Sequence, residues 1–244
     1  MLSMLVTRPE PDASETAARL AALDIGAVKA PLLNFTPLPT TLPDAKGFAA
    51  LAATSANALR ALHDRGEIPH FRHLPLYAVG ERTAAAARDF GFGEIVSADG
   101  DLAALVNLLA DAGLAGPILY PAARDQSGDL ARALAPYGVM VITAPVYAMS
   151  PTESIDDAIL SALDGGAIAG ALFYSRRTAQ TFVSLADSRL GKAAHRKLGV
   201  LCLSEAVAAP LVDAHFVRVG LADHPSEEAM MTLALSFARD QNPA

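Results

Sequence analysis

Leu5-Val6-Thr7-Arg8 and Ile118-Leu119-Tyr120-Pro121 begin two copies of one sequence pattern, and this repetition decides the fold. Each apolar run leads through a helix-like stretch to a glycine, Gly26 or Gly138, and then to a second apolar run. The two copies are offset by roughly 110 to 125 residues, which is too long for the period of a repeat array and typical of a duplicated domain. Two similar halves that face each other enclose a cleft, and we expect the functional site there.

Apolar runs alternate with amphipathic stretches along the whole chain, which is typical of parallel α/β structure. The predicted strands are 2–7, 28–35, 48–53, 76–79, 94–96, 118–120, 140–147, 167–173, 200–203 and 216–219. They divide into two mainly parallel, five-stranded sheets, each covered by helices as a three-layer α/β/α domain. Proline-rich segments follow the two strands that repeat each other, so we predict that the chain crosses between domains at both. The predicted domains are a continuous one, 37–149, and a discontinuous one, 1–36 plus 150–244.

The composition predicts a soluble enzyme or binding protein of the cytoplasm. Hydrophobic residues make up 52% of the chain and the mean hydropathy is +0.31, which is enough for packed cores and excludes disorder. No apolar run approaches the ~20 residues that span a bilayer, and the first residues lack a basic segment typical of export signals. The net charge of −7 argues against a nucleic-acid partner. One cysteine and scattered histidines predict neither a disulfide nor a metal site.

Polar residues gather where the predicted strands end, which is where ligands bind in parallel α/β sheets, next to helix N-termini. These residues are Thr7, Arg8, Thr54, Ser55, Gly80, Arg82, Thr83, Arg124, Ser175, Arg176 and Ser204. Each alone is more typical of a helix cap or a solvated side chain. Together they predict a site for a ligand with several negative charges, because arginine and free backbone N–H groups suit carboxylates. No acid–base pair stands out, which favours catalysis by binding and orientation.

Several of these segments together resemble the uroporphyrinogen-III synthase family. They are Thr7-Arg8-Pro9, Thr54-Ser55-Ala56-Asn57-Ala58, Tyr77-Ala78-Val79-Gly80-Glu81-Arg82-Thr83-Ala84 and Pro145-Val146-Tyr147. The resemblance implies two similar swapped α/β domains joined by a two-stranded β-ladder. It implies a monomeric, cofactor-independent lyase of tetrapyrrole, porphyrin and heme biosynthesis. Such an enzyme cyclises hydroxymethylbilane, a polycarboxylate linear tetrapyrrole, to uroporphyrinogen III in the interdomain cleft, with inversion of ring D and loss of water.

The resemblance also assigns roles to residues. Tyr147 matches the tyrosine thought to help the ring-A hydroxyl leave, although a core or hinge tyrosine is the alternative. Thr83 matches the threonine after the glycine of the fourth-strand motif, and Ser55 matches the hydroxyl at the end of the third strand. We therefore predict catalytic roles for Tyr147 and Thr83, without a metal. The predicted substrate-binding residues are Thr7, Arg8, Ser55, Gly80, Arg82, Arg124, Ser175 and Arg176. The alternative function is a two-lobed protein that binds a small anion without catalysis.

Overall fold

A computed structural model of the chain describes residues 2–126 and 128–241. Its strands are β1 (Ser3–Val6), β2 (Gly26–Lys29), β3 (Leu33–Pro37), β4 (Ala50–Ala53), β5 (Leu76–Ala78), β6 (Ile95–Ser97), β7 (Ile118–Ala123), β8 (Val141–Pro151), β9 (Gly170–Phe173), β10 (Gly199–Cys202) and β11 (Arg218–Leu221). Its α-helices are α1 (Asp12–Ala21), α2 (Ala56–Asp64), α3 (Ile68–Phe71), α4 (Glu81–Asp89), α5 (Leu102–Asp111), α6 (Leu130–Leu134), α7 (Asp157–Asp164), α8 (Arg176–Ala186), α9 (Lys192–Lys197), α10 (Glu205–Asp213) and α11 (Glu227–Gln241).

The chain divides into two compact units. Unit 1 combines Met1–Asn34 with Ser150–Ala244, and unit 2 is Phe35–Met149. The outermost positions of the predicted discontinuous domain, 1 and 242–244, lie outside the described residues. Strands β3 and β8 each run through a boundary between the units, and they are neighbours in the sheet of unit 2.

The two sheets share one strand order, which reflects the repeated sequence. Unit 1 has a five-stranded sheet in the order β11-β10-β9-β1-β2, with parallel pairing throughout. Unit 2 has a six-stranded sheet in the order β3-β8-β7-β4-β5-β6, and the pairs from β8 to β6 are parallel. If β3 is left out, the order β8-β7-β4-β5-β6 of unit 2 corresponds strand by strand to β2-β1-β9-β10-β11 of unit 1. The prediction of two similar, mainly parallel α/β domains is confirmed.

The prediction of five strands in each sheet is wrong for unit 2. The segment 28–35, predicted as one strand, forms the end of β2 and the start of β3, which belong to different sheets. Pro31 lies between them. Proline has no N–H to donate and fixes its own φ, so Pro31 cannot donate to a neighbouring strand at this point. The chain leaves one sheet at this proline and enters the other after it.

Both faces of each sheet are covered, as a three-layer architecture requires. In unit 1, Met4 and Val6 pack with Met230 of α11, whereas Leu5, between them, packs with Phe182 of α8 on the opposite face. All five side chains are fully buried. This alternation follows from the two-residue period of a strand, with both faces apolar because helices cover both. Within the described residues, no helix is long and apolar enough to cross a membrane.

His195 of α9 adds a stabilising contact to unit 1 that depends on pH. Its Nε2 lies 2.9 Å from a carboxylate oxygen of Asp187, and its Nδ1 lies 3.1 Å from the carbonyl oxygen of Gly191. The ring stacks on Phe216 with 4.5 Å between centroids. Burial lowers the pKa of His195, but these two acceptors and the negative charges of Asp187 and Asp164 outweigh it and raise the pKa above its usual value.

We expect the stabilisation from His195 to be present at low pH and lost at high pH. A group whose pKa is higher in the folded state stabilises fully below the unfolded pKa, about 6.5 for histidine, and loses this effect as the pH rises through the folded pKa. Urea unfolding of the wild type and of His195→Gln at about pH 6 and pH 9 measures the effect. The wild type should exceed the variant in unfolding free energy by more at the lower pH. An equal difference at both values would contradict this.

Candidate functional site

A cavity of about 310 Å³ lies at the carboxyl ends of the strands of unit 2. Its lining residues are Thr54, Ser55, Val79, Leu102, Tyr120, Ala123, Asp125, Gln126, Gly128 and Tyr147. Thr54 and Ser55 directly follow β4, and Val79 directly follows β5. This is the edge at which parallel α/β sheets bind ligands. Two residues predicted for the site, Ser55 and Tyr147, are brought together here.

Ser55 begins α2 and faces the cavity at the same time. Its backbone is extended, and its Oγ accepts a hydrogen bond from the Asn57 N–H at 3.2 Å, so it is the N-cap of the helix. The Ser55 side chain also lies near enough to the Tyr147 hydroxyl to lower the pKa of this phenol. Since Oγ accepts from Asn57, the hydroxyl proton of Ser55 is available to the phenol oxygen of Tyr147.

Tyr147 is held in place by a register shift in β8. Ala122 is paired with Pro145, but Ala123 is paired with Tyr147, so Val146 is an extra residue in the ladder. Regular alternation would place the side chains of Val146 and Tyr147 on opposite faces of the sheet. Because of the shift, both pack in the same cluster, on the face that Leu51 of β4 also contacts. The bulge thus brings Tyr147 to the face on which Ser55 caps α2.

The environment of Tyr147 keeps its phenol protonated. The side chain is buried, and its ring stacks on Phe35 with 5.5 Å between centroids. Burial raises the pKa of Tyr147, the Ser55 hydroxyl lowers it in part, and the nearby Tyr120 raises it further. The pKa of Tyr147 therefore lies above the usual value for a tyrosine. The protonated phenol therefore has a proton to donate to a ligand in the cavity.

The other predicted residues of unit 2 lie beside the lining residues of this cavity. Gly80 is the N-cap of α4 and immediately follows Val79, while Thr83 is buried in the first turn, where its N–H donates to the Gly80 carbonyl at 3.0 Å. Arg82 of the same turn is exposed. Arg124 follows Ala123, donates its backbone N–H to the Tyr147 carbonyl at 2.8 Å, and holds its exposed guanidinium 3.9 Å from Asp125.

In unit 1, Thr7 and Arg8 have partners within the same unit. The Thr7 hydroxyl donates to the Leu172 carbonyl at 2.6 Å, which ties β1 to β9. The Arg8 side chain is 8% exposed and contacts two carboxylates, Glu227 at 2.6 Å and Asp12 at 3.1 Å. The role of Thr7 and Arg8 in substrate binding stays a prediction, and in this structure both stabilise the end of β1.

Tyr174 and the start of α8 complete this edge of unit 1. The guanidinium carbon of Arg8 lies 4.1 Å from the centroid of the Tyr174 ring, and the Tyr174 hydroxyl donates to Glu227 at 3.1 Å. Burial and the charge of Glu227 raise the pKa of Tyr174, so it is protonated. Ser175 caps α8 by accepting from the Thr178 N–H at 3.1 Å, and Arg176 is exposed in the first turn. Among the described residues, no three His, Cys, Asp or Glu side chains converge as metal ligands.

Comparisons with known proteins agree on one family. The family model described as uroporphyrinogen-III synthase HemD matches residues 14–232. The fold is similar to that of uroporphyrinogen-III synthetase from Helicobacter pylori 26695, with a TM-score of 0.68, 20% identity, and coverage of 97% of this chain and 99% of that chain. It is also similar to a mutant uroporphyrinogen III synthase from the extremely thermophilic bacterium Thermus thermophilus, with a TM-score of 0.58, 16% identity and full coverage of both chains. No curated protein matches the chain by sequence.

Proposed function

This chain belongs to the uroporphyrinogen-III synthase family, and we propose that its cavity at Ser55 and Tyr147 serves the cyclisation of hydroxymethylbilane to uroporphyrinogen III. The reaction is that of a cofactor-independent lyase of tetrapyrrole biosynthesis, and it inverts ring D and releases water. The observation that carries the proposal is the buried phenol of Tyr147, which lines a cavity together with Ser55.

Tyr147 is suited to the departure of the hydroxyl group from ring A. The C–O bond breaks with its electron pair on oxygen, and this oxygen takes the Tyr147 proton and leaves as water. The pyrrole nitrogen supplies the electrons that form the new exocyclic double bond. The tyrosinate then recovers a proton from the pyrrole N–H, which leaves a neutral azafulvene. The Ser55 hydroxyl stabilises the phenolate by donating to it, which lowers the cost of this step in a buried site.

The carboxylates of the substrate require positive groups, and exposed side chains beyond the strand ends supply them. We assign this role to Arg82, Arg124 and Arg176, which are exposed next to strand ends, because guanidinium groups suit carboxylates. Gly80 and Ser175 each begin a helix, and the N–H groups of a first helical turn bind anions. Thr83 lies in one of these turns and is assigned a catalytic role by its position in the motif. Thr7 and Arg8 complete the proposed binding residues, through the contacts that order the end of β1.

The remaining proposals concern assembly and compartment. We propose that the enzyme acts as a monomer, as the family resemblance implies. The single cysteine, Cys202, is buried, and burial raises the pKa of its thiol to about 12, so it is unreactive. A chain that uses no disulfide suits the reducing cytoplasm.

An isomer assay tests the function directly. We expect the purified chain, incubated with hydroxymethylbilane and no added metal or nucleotide, to yield the type III product. A parallel reaction with heat-denatured protein gives the spontaneous type I product. If the native protein yields only type I, the proposed function is wrong. Tight binding of a simple anion without turnover would then favour the alternative of a two-lobed binding protein.

A further inference from the structure

A second tyrosine, Tyr120, lines the same cavity and has a partner of its own. Its hydroxyl lies 2.8 Å from the Thr54 Oγ1. Tyr120 is the third residue of β7, is 3% exposed, and has no role in the cyclisation described above. We infer that Tyr120, oriented by Thr54, is a second substrate-positioning residue of this cavity and accepts a hydrogen bond from a pyrrole N–H of the substrate. The inference rests on the proposed function.

The two tyrosines approach the end of β4 from opposite faces of the sheet. Tyr120 packs in the cluster that contains Ala52, and Tyr147 packs in the cluster on the other face that contains Ala53. Thr54 and Ser55 continue the alternation of β4. Each tyrosine therefore meets the hydroxyl residue on its own face, so two pairs of hydroxyl groups border one cavity.

The charges around Tyr120 favour an N–H group over a carboxylate as its ligand. Of the described lining residues, one is a carboxylate, Asp125, and none is cationic. Burial raises the pKa of Tyr120, the hydrogen bond with Thr54 lowers it in part, and the negative charge of Asp129 raises it. The phenol is thus protonated. Either hydroxyl can be the donor of this hydrogen bond, and a phenol that donates to Thr54 keeps its oxygen lone pairs for an N–H of the ligand.

Two contacts fix a planar ring better than one. A ring held by Tyr147 alone can still turn about that hydrogen bond, whereas a second contact from Tyr120 defines its plane and direction. Orientation of this kind determines which carbon atoms are close enough to react. Closure with inversion joins ring A to one particular carbon of ring D, and closure without such control gives the type I isomer.

Replacement of Tyr120 by Phe tests the inference, with Tyr77→Phe as the matched control. Tyr77 of β5 packs in the same cluster as Tyr120 and is not a lining residue of the cavity, so its variant removes the same atom from the same face of the sheet. We expect Tyr120→Phe to lower kcat/KM about tenfold, the effect of one lost hydrogen bond. We also expect it to form type I product faster than the reaction without enzyme. Tyr77→Phe should change neither property. Thr54→Val should reproduce part of the loss, since it removes the partner that orients the phenol.

The outcomes separate this inference from the proposed function. An active wild type together with an unchanged Tyr120→Phe variant overturns the inference and leaves the function intact. Equal losses in the Tyr120 and Tyr77 variants, with equal falls in melting temperature, also overturn it, because a merely structural role produces that result. A wild type that makes no type III product overturns both.

Discussion

Tyr147→Phe is expected to lower kcat at least a hundredfold, since a positioned proton donor contributes roughly 10²–10⁴ in rate. The aromatic ring remains, so its stacking on Phe35 and its burial are retained. The variant loses the polar interaction of the phenol with the Ser55 hydroxyl, and we expect its unfolding free energy to fall by only about 1 kcal/mol. Steady-state kinetics with hydroxymethylbilane and urea unfolding of the same preparations give the two quantities.

A control for this variant is Tyr137→Phe, which removes the hydroxyl of a tyrosine that is 58% exposed. It should leave kcat and stability unchanged. The KM of Tyr147→Phe should stay near that of the wild type, because the phenol acts mainly on the departing group rather than on binding. If kcat is unchanged, Tyr147 has no chemical role. If kcat falls only together with the fraction of folded protein, the tyrosine is structural, as the alternative holds.

The sequence contained most of the fold because the deciding signals are local. A buried parallel strand is a short apolar run in the sequence. The predicted strands 167–173, 200–203 and 216–219 of unit 1 overlap β9, β10 and β11 of the structure. Three α-helices, α3, α7 and α9, are short and have no clear signal in the sequence. They have four, eight and six residues, which is about one or two turns and too few to show a clear period. The extra strand β3 was hidden because both sides of Pro31 are apolar.

The cavity was only partly predictable, because it depends on pairing between distant strands. Tyr147 was found from its place in a repeated strand, but its contact with Ser55 requires the register shift between β7 and β8. A bulge of this kind cannot be recognised from the order of apolar and polar residues. Tyr120 has the appearance of a core residue, since Ile118, Leu119 and Tyr120 form one apolar run. Its partner Thr54 precedes it by 66 positions, so no local pattern connects them.

An arginine at the end of a strand can bind a ligand or stabilise the fold, and Arg8 is an example. The sequence predicts it as a ligand for a carboxylate of the substrate, but the structure surrounds it with carboxylates of the chain itself. Asp12, four residues later, is the one local signal, because residues at this spacing often form ion pairs. Glu227 lies 219 positions away and could not be assigned from sequence. The ion pair of Arg8 with Glu227 joins the first strand of unit 1 to its last helix.

We expect Arg8→Ala to lower the unfolding free energy of unit 1 by about 3–5 kcal/mol, because it removes the cation that the largely buried carboxylates of Asp12 and Glu227 contact. Urea unfolding of the full chain, followed by circular dichroism, measures the change. Arg19→Ala is the control. Arg19 lies 3.6 Å from Glu228, also on α11, but these side chains are 51% and 74% exposed, and such pairs contribute about 0–1 kcal/mol.

Kinetics of the same variants decide between the two roles of Arg8. If Arg8 serves the fold, the triple variant Arg8→Met, Asp12→Asn, Glu227→Gln should be more stable than Arg8→Ala, because it removes the two carboxylates together with the cation that they contact. Its KM should then be close to that of the wild type once the fraction of folded protein is taken into account. A triple variant that is stable but has a strongly raised KM would show that the guanidinium of Arg8 exchanges its internal carboxylates for those of the substrate. Equal stability losses for Arg8→Ala and Arg19→Ala would contradict the buried ion network itself.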